Sequence, residues 1–289
     1  MLTGEIKVIN ILDLPRIPHL TPRVAKHMST RPVMILATFL PLFPRRTHAQ
    51  LVMAITNKLA NQRREEDCIA ITAERKYYHA GTSFIKRSLR PSEWQVSPVK
   101  GTIHVPRQNN ERLSNEAATL RFVRQNTSIP VPTVHCCFED DQAVILVTEY
   151  VEGVGMNDLD LPQRQIVQVE LESHIQELHN LRSSVLGGPS GIVIIPYRAT
   201  LKTFKDDWNL KPSNHEEYVF CHNDLSQQNI IVDPQSLKIK AIIDWEYAGF
   251  FPEFFDMRIF ERLGPSVAMD GEEDDSSRLV EFLQARSDY

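Results

Sequence analysis

The sequence predicts an α+β protein of two lobes, a small β-rich one followed by a larger, mostly helical one that carries a polar loop. Three patterns lead there. Short strand-like runs bounded by turn residues fill Ser83 to Val151, a long apolar-striped segment starts at Pro162, and paired apolar runs flank a polar loop after Tyr218. The chain divides into a basic arm over residues 1–65, a first lobe over 66–150 and a second lobe over 151–289.

The arm stands apart by charge. Residues 14–64 hold no Asp or Glu, but they do hold Arg16, Arg23, Lys26, Arg31, Arg45, Arg46, Lys58, Arg63 and Arg64. Prolines at 15, 18, 22, 32, 41 and 44 oppose a long helix before Pro44, whereas Leu51, Ala54, Ile55, Lys58 and Leu59 give 48–63 a helical step. The plain reading is a solvated, partly disordered extension. The sharper one is peripheral membrane contact or organelle targeting, against which stand Glu5 and Asp13.

Whole-chain composition narrows the class. With 289 residues, 42% hydrophobic and 24% charged, the chain can bury a globular core. A net charge of -5 makes nucleic acid a poor default partner. Cys68, Cys136, Cys137 and Cys221 form no C-x-x-C pair, which suits a reducing, cytoplasmic setting. The apolar run Val33 to Phe43 is broken by Pro41 and falls short of the roughly 20 residues of a membrane span.

In the first lobe, strands are expected at Ser83 to Arg87 and Gly101 to Val105, then a helix from Asn109 or Asn110 to about Gln125. Ile129-Pro130-Val131-Pro132 ends that helix. Val134 to Phe138 and Val144 to Val151 flank Glu139-Asp140-Asp141 as a hairpin. The second lobe opens with a helix from Pro162 to about Arg182, whose stripe is Ile166, Val169, Ile175, Leu178 and Leu181. His174 and His179 lie on it five apart, a spacing that does not suit two metal ligands on one face.

The chemistry concentrates further on. Tyr218 to Cys221 and Asn229 to Val232 read as strands around His222-Asn223-Asp224-Leu225-Ser226-Gln227-Gln228, and the apolar run Ile239 to Ile243 stops at Asp244. Phosphoryl transfer needs a carboxylate to orient the attacking hydroxyl and take its proton, and hard oxygen ligands for magnesium. Asp224 suits the first task, and Asn229 with Asp244 the second. His222 suits hydrogen bonds that hold the loop.

His222-x-Asp224, Asn229 and Ile243-Asp244-Trp245, followed by Glu246-Tyr247-Ala248-Gly249, together resemble the catalytic region of the aminoglycoside phosphotransferase and choline kinase-like family. The resemblance covers about Tyr77 to Arg262. It implies a protein-kinase-like fold, ATP or another nucleoside triphosphate with Mg2+, and transfer of the γ-phosphate to a hydroxyl of a small molecule. It further implies a strand lysine on the phosphates, for which Lys86 is the first candidate and Lys100 and Arg107 are alternatives, with Glu116 as its helix partner. Thr148 to Gly153 resembles the adenine-binding connector, with contacts at Glu149 and Val151. His79 to Ser83 is the one short candidate for a phosphate loop.

A different class of function, a catalytically silent kinase-like binding module, is the alternative, because a glycine-rich phosphate loop is missing. The resemblance leaves the basic arm and the acidic stretch Asp270 to Asp275 unassigned. It does not specify the acceptor, although Glu246, Glu253 and Asp256 would suit a cationic one.

Overall fold

The computed structural model describes residues 68–97 and 100–287, all within a unit spanning 35–289. The basic arm, with its expected helix over 48–63, lies outside the described residues.

Strands begin earlier than Tyr77. β1 (Cys68–Ile71), β2 (Arg75–Ala80) and β3 (Ser83–Ser88) form an antiparallel meander. The expected strand over 101–105 shrinks to β5 (Ile103–His104), which pairs with β4 (Gln95–Val96) outside the main sheet. Too few apolar residues alternate there to sustain a longer strand.

Helix α1 (Asn109–Asn126) follows, then β6 (Val134–Asp140) and β7 (Ala143–Glu149). Asp141 and Gln142 join these two strands with φ of 46° and 63°, the backbone a two-residue hairpin needs to match strand twist. The five-stranded sheet runs β1-β2-β3-β7-β6.

Two faces of α1 are buried for different reasons. Leu113 and Ala117 pack on Val144 and Leu146 of β7, while Leu120 and Val123 join the core of the second lobe. Arg112, Asn115, Glu116 and Thr119, on another side, are also buried. That polar face meets the Trp245–Tyr247 turn of the second lobe, so α1 is the wall between the lobes. The helix stops where the Thr127 hydroxyl donates to the Val123 carbonyl at 2.7 Å, just before Pro130.

The second lobe starts with β8 (Val154–Gly155) and α2 (Leu161–His179). Asp160 and Gln163 cap α2 reciprocally, each side chain accepting from the other's amide at 2.9 and 3.1 Å. The helix ends short of Arg182, since Arg182–Ser183 become strand β9. Its buried stripe is Val167, Leu171 and Leu178, with Ile175 half-buried against the same core. Ile166 and Val169 of the expected stripe are instead 58% and 72% exposed. One residue turns a helix by about 100°, so a stripe anchored on Val167 sends both neighbours outward.

A short helix α3 (Tyr197–Thr200) precedes β10 (Tyr218–Cys221), β11 (Ile230–Val232), β12 (Ile239–Ile242), β13 (Gly249–Phe251) and α4 (Ser276–Arg286). They form two small sheets, β12-β11-β8 and β13-β10-β9. Met156, Leu171, Phe220 and Trp245 centre one core, and Trp208, Phe251, Phe255 and Leu283 centre another. The two-lobed α+β fold expected from the sequence is the one observed. Among the described residues, no helix is long and apolar enough to cross a membrane.

The first lobe holds one acid-sensitive clamp. Glu93 accepts from Arg87 at 2.6 and 2.9 Å, from Lys76 at 2.8 Å and from the Arg90 amide at 2.9 Å. Partial burial raises its pKa, but the Arg87 and Lys76 bonds outweigh this and bring it from 4.5 down to about 2. A carboxyl depressed in the folded state stabilises above its unfolded value and loses that contribution as pH falls. Wild-type stability should therefore decline between about pH 4.5 and 2 more steeply than that of Glu93→Gln, as measured by urea midpoints across that range.

Candidate active site

The loop between β10 and β11 is held from below by neutral hydrogen bonds. His222 is fully buried, its Nε2 lies 3.1 Å from the Ile243 carbonyl, and its Nδ1 accepts from the Asp224 amide at 3.3 Å. With one nitrogen donating and the other accepting, the ring is neutral, and burial pushes its pKa below 6.5. It also packs on Trp245 at 4.4 Å between centroids. His222 therefore ties the loop to the end of β12 and presents no free edge to a substrate.

Asn223, at φ 66°, donates its amide to Asp256 at 3.2 Å and its side-chain nitrogen to the Tyr247 carbonyl at 2.9 Å. The reversal this permits leaves Asp224 only half-buried, above the loop. Asn229 donates its side-chain nitrogen to the Asp224 carbonyl at 2.8 Å, and no bond among the described residues uses its Oδ1. Asp244 follows β12 in the left-handed region, φ 67° and ψ 48°, which turns its carboxylate back toward the first lobe.

Lys86 on β3 meets it there. The ammonium lies 2.6 Å from Glu116 Oε1 on α1 and 2.6 Å from Asp244 Oδ1, a contact across 158 positions of sequence. The alternatives weighed from sequence fall elsewhere: Arg107 binds Asp206 and the carbonyls of Thr200 and Thr203, and Lys100 lies beyond the main sheet in an exposed turn.

Lys86 and Glu116 are buried, whereas Asp224 and Asp244 are half-buried, and the charges shift one another. Burial would lower the Lys86 pKa, but Asp244 and Glu116 raise it well above 10.5. Burial pushes the Asp244 carboxyl up, and Lys86 more than offsets this, leaving it below its ordinary value. Glu116 is pushed up to about 7 by burial, only partly countered by Lys86. Asp224 is pushed up to about 8 by burial and by the like charge of Asp244.

Asp244 raises the proton affinity of Asp224, and a divalent cation between such carboxylates would relieve that repulsion. The Asp244 carboxylate and Asn229 Oδ1 are hard oxygen donors of the right type. The residues present thus fit magnesium.

A second charged layer was not legible in the sequence. Arg75 pairs with Glu246 and donates to Asn109 at 3.2 Å, while Arg112 reaches Glu74 at 2.6 Å, Tyr247 Oη at 2.7 Å and Glu246 at 3.4 Å. Asn115 donates to the carbonyls of Glu246 at 3.1 Å and Ala248 at 2.9 Å and accepts from Ser190 at 2.7 Å. These side chains lock α1 and the start of β2 to the turn after Asp244. Their signal was an i, i+3, i+4 polar face on α1 beside an apolar one.

Glu246 pairs with Arg75, and Asp256 bonds to Asn223 and to His179 at 3.0 Å, while the Glu253 side chain is 72% exposed. The tight turn in His79 to Ser83 lies beside the connector: the Tyr150 amide donates to the Thr82 carbonyl at 2.7 Å, and His79 stacks on Tyr150 at 4.0 Å. The β1–β2 loop at the other end of β2 is Thr72-Ala73-Glu74, without glycine. In the connector, the Glu149 side chain accepts from Thr133, and no bond among the described residues uses the Val151 amide.

Residues 189–261, which include the loop and Asp244, match the family model for choline/ethanolamine kinase. This segment is choline kinase-like. Probable choline kinase 3 of Arabidopsis thaliana is 40% identical over 60 residues, a stretch that makes up 20% of this chain and only 17% of that relative. Among solved structures, an aminoglycoside-3'-phosphotransferase of type VIII is 18% identical, covering 81% of this chain and 91% of that one at a TM-score of 0.46. Aminoglycoside phosphotransferase APH(3'')-Id from Streptomyces rimosus, in complex with ADP and streptomycin, is 17% identical over 81% and 90%, at 0.47. Lys86 and Glu116 lie outside the choline kinase-like segment, so their assignment rests on the geometry alone.

Asn115 offers a test of the junction. Asn115→Ala leaves two buried carbonyls without a donor and should lower folding stability by about 1–3 kcal/mol, read from denaturant midpoints. An unchanged midpoint would show that α1 does not hold the turn this way.

Proposed function

We propose that the protein is an ATP-dependent phosphotransferase that moves the γ-phosphate to a hydroxyl of a small molecule. One observation carries this reading: Lys86, Glu116, Asp224, Asn229 and Asp244, drawn from both lobes, converge on a single crevice. In the same reading, residues 66–150 hold the nucleotide and residues 151–289 the catalytic loop and acceptor. Choline and ethanolamine head the acceptor panel because of the match over 189–261.

In this mechanism the ionised Asp224 carboxylate accepts a hydrogen bond from the acceptor hydroxyl, aims its oxygen at phosphorus and takes its proton as the bond forms. Asn229 Oδ1 and Asp244 would hold magnesium, which when bound neutralises charge on the phosphate oxygens. Lys86, kept fully charged by its two carboxylates, would turn from Asp244 to the phosphates while Glu116 retains it. Backbone groups at Glu149 and Val151 would meet the adenine edge. His222 keeps the loop in register with Asp244.

One feature favours a second reading, a silent kinase-like binding module. The β1–β2 loop has no glycine, and the Glu74 and Arg75 amides already donate to Thr72 Oγ1 at 3.2 and 3.0 Å where a phosphate loop would need backbone amides free.

Turnover of magnesium nucleotide across amino alcohols, amino sugars and other hydroxylated metabolites separates the two. Asp224→Asn should reduce kcat by roughly 10²–10⁴-fold while nucleotide affinity by calorimetry changes little. Folded wild-type protein that binds no nucleotide would favour the silent module, and binding with Asp224-independent turnover would remove Asp224 as the base.

A further inference from the structure

The Asp224 carboxylate already carries a hydroxyl. Ser266 Oγ donates to Asp224 Oδ1, 42 positions upstream, and Ser266 is itself buried in the crevice. Its backbone is presented there by a built loop. Gly264, at φ 116°, makes the turn, and Arg262 then clamps both carbonyls that flank the serine, Pro265 at 3.0 Å and Val267 at 2.8 Å. Glu272 pairs with the Arg262 guanidinium and also accepts from the Met269 amide at 3.0 Å, closing the loop.

A serine whose hydroxyl merely filled space would need no such frame. A hydroxyl donating to the base of a hydroxyl kinase has the same relation to that base as the acceptor's own hydroxyl. The effective concentration of a group held within one chain exceeds that of a dissolved acceptor by orders of magnitude.

We propose that Ser266 is an acceptor within the chain, phosphorylated by the protein itself when magnesium nucleotide is bound. This rests on the phosphotransferase reading above. Ser266 Oγ forms a bond to the γ-phosphorus, the bond from that phosphorus to the β–γ bridging oxygen breaks, ADP leaves, and the hydroxyl proton passes to Asp224. The product is phosphoserine on a loop whose charge then lies beside Asp224 and Asp244. Like-charge repulsion would push the loop out of the crevice and open the base to a diffusible acceptor.

The test is incubation of the full chain with magnesium ATP in the absence of any acceptor, followed by intact-mass spectrometry and peptide mapping, with nucleotide binding measured in parallel by calorimetry. One phosphoryl group per chain should appear on Ser266, at a rate independent of protein concentration. Ser266→Ala should bind nucleotide and lose the label, Ser266→Thr should regain it as phosphothreonine, and Asp224→Asn should slow labelling at least ~100-fold. Nucleotide binding with turnover of a small acceptor but no label at position 266 overturns self-phosphorylation and leaves the kinase reading standing. Absence of nucleotide binding overturns both. A rate that rises with protein concentration overturns transfer within one chain.

Discussion

The structure turns on one ammonium group. Lys86 sits between Glu116 and Asp244 at 2.6 Å from each, so a strand of the first lobe, the wall helix and the strand end of the second lobe share a single buried charge. An isolated ammonium in that crevice would be costly, and so would either carboxylate alone. Each group is tolerable only with the others in place, which makes the crevice geometry mutually dependent.

Around it, Arg75, Arg112, Glu74 and Glu246 repeat the arrangement one layer out, with Asn115 fixing the backbone of the turn between them. Buried ion pairs contribute little net stability compared with apolar packing of the same volume, but breaking one is expensive. Their effect here is to hold the lobes in one register. The cost of that rigidity falls on the β1–β2 loop, where Glu74 is committed to Arg112 and glycine is absent. The same commitment gives the silent-module reading its force, and on the other side of the crevice the Asp224 carboxylate is engaged by Ser266.

The loop between β10 and β11 and the end of β12 could be located from sequence because their signals are local. Asp224 and Asn229 are five apart in a polar loop between apolar strands, and Asp244 ends the next apolar run, so short-range spacing carries the geometry. The hairpin around Asp141 and the helix start near Pro162 were legible for the same reason. Lys86 was one of three candidates because pairing across 158 positions leaves no trace in spacing. The stripe on α2 was misread since Ile166 and Val169 satisfy a helical period as well as Val167 and Leu171 do, and only the packing partner selects between them. The partners of Arg75, Arg112 and Ser266 leave no mark in the sequence: each is an ordinary polar residue until the fold supplies its partner.

The most direct test is a structure determined with magnesium and a non-hydrolysable ATP analogue. The account predicts the analogue in the crevice with its adenine edge on the Glu149–Val151 connector, metal on Asn229 Oδ1 and Asp244, and Lys86 moved from Asp244 to the phosphates while still on Glu116. A structure in which nucleotide lies elsewhere, or in which Lys86 still bridges Glu116 and Asp244 with no metal between Asp244 and Asn229, would contradict it.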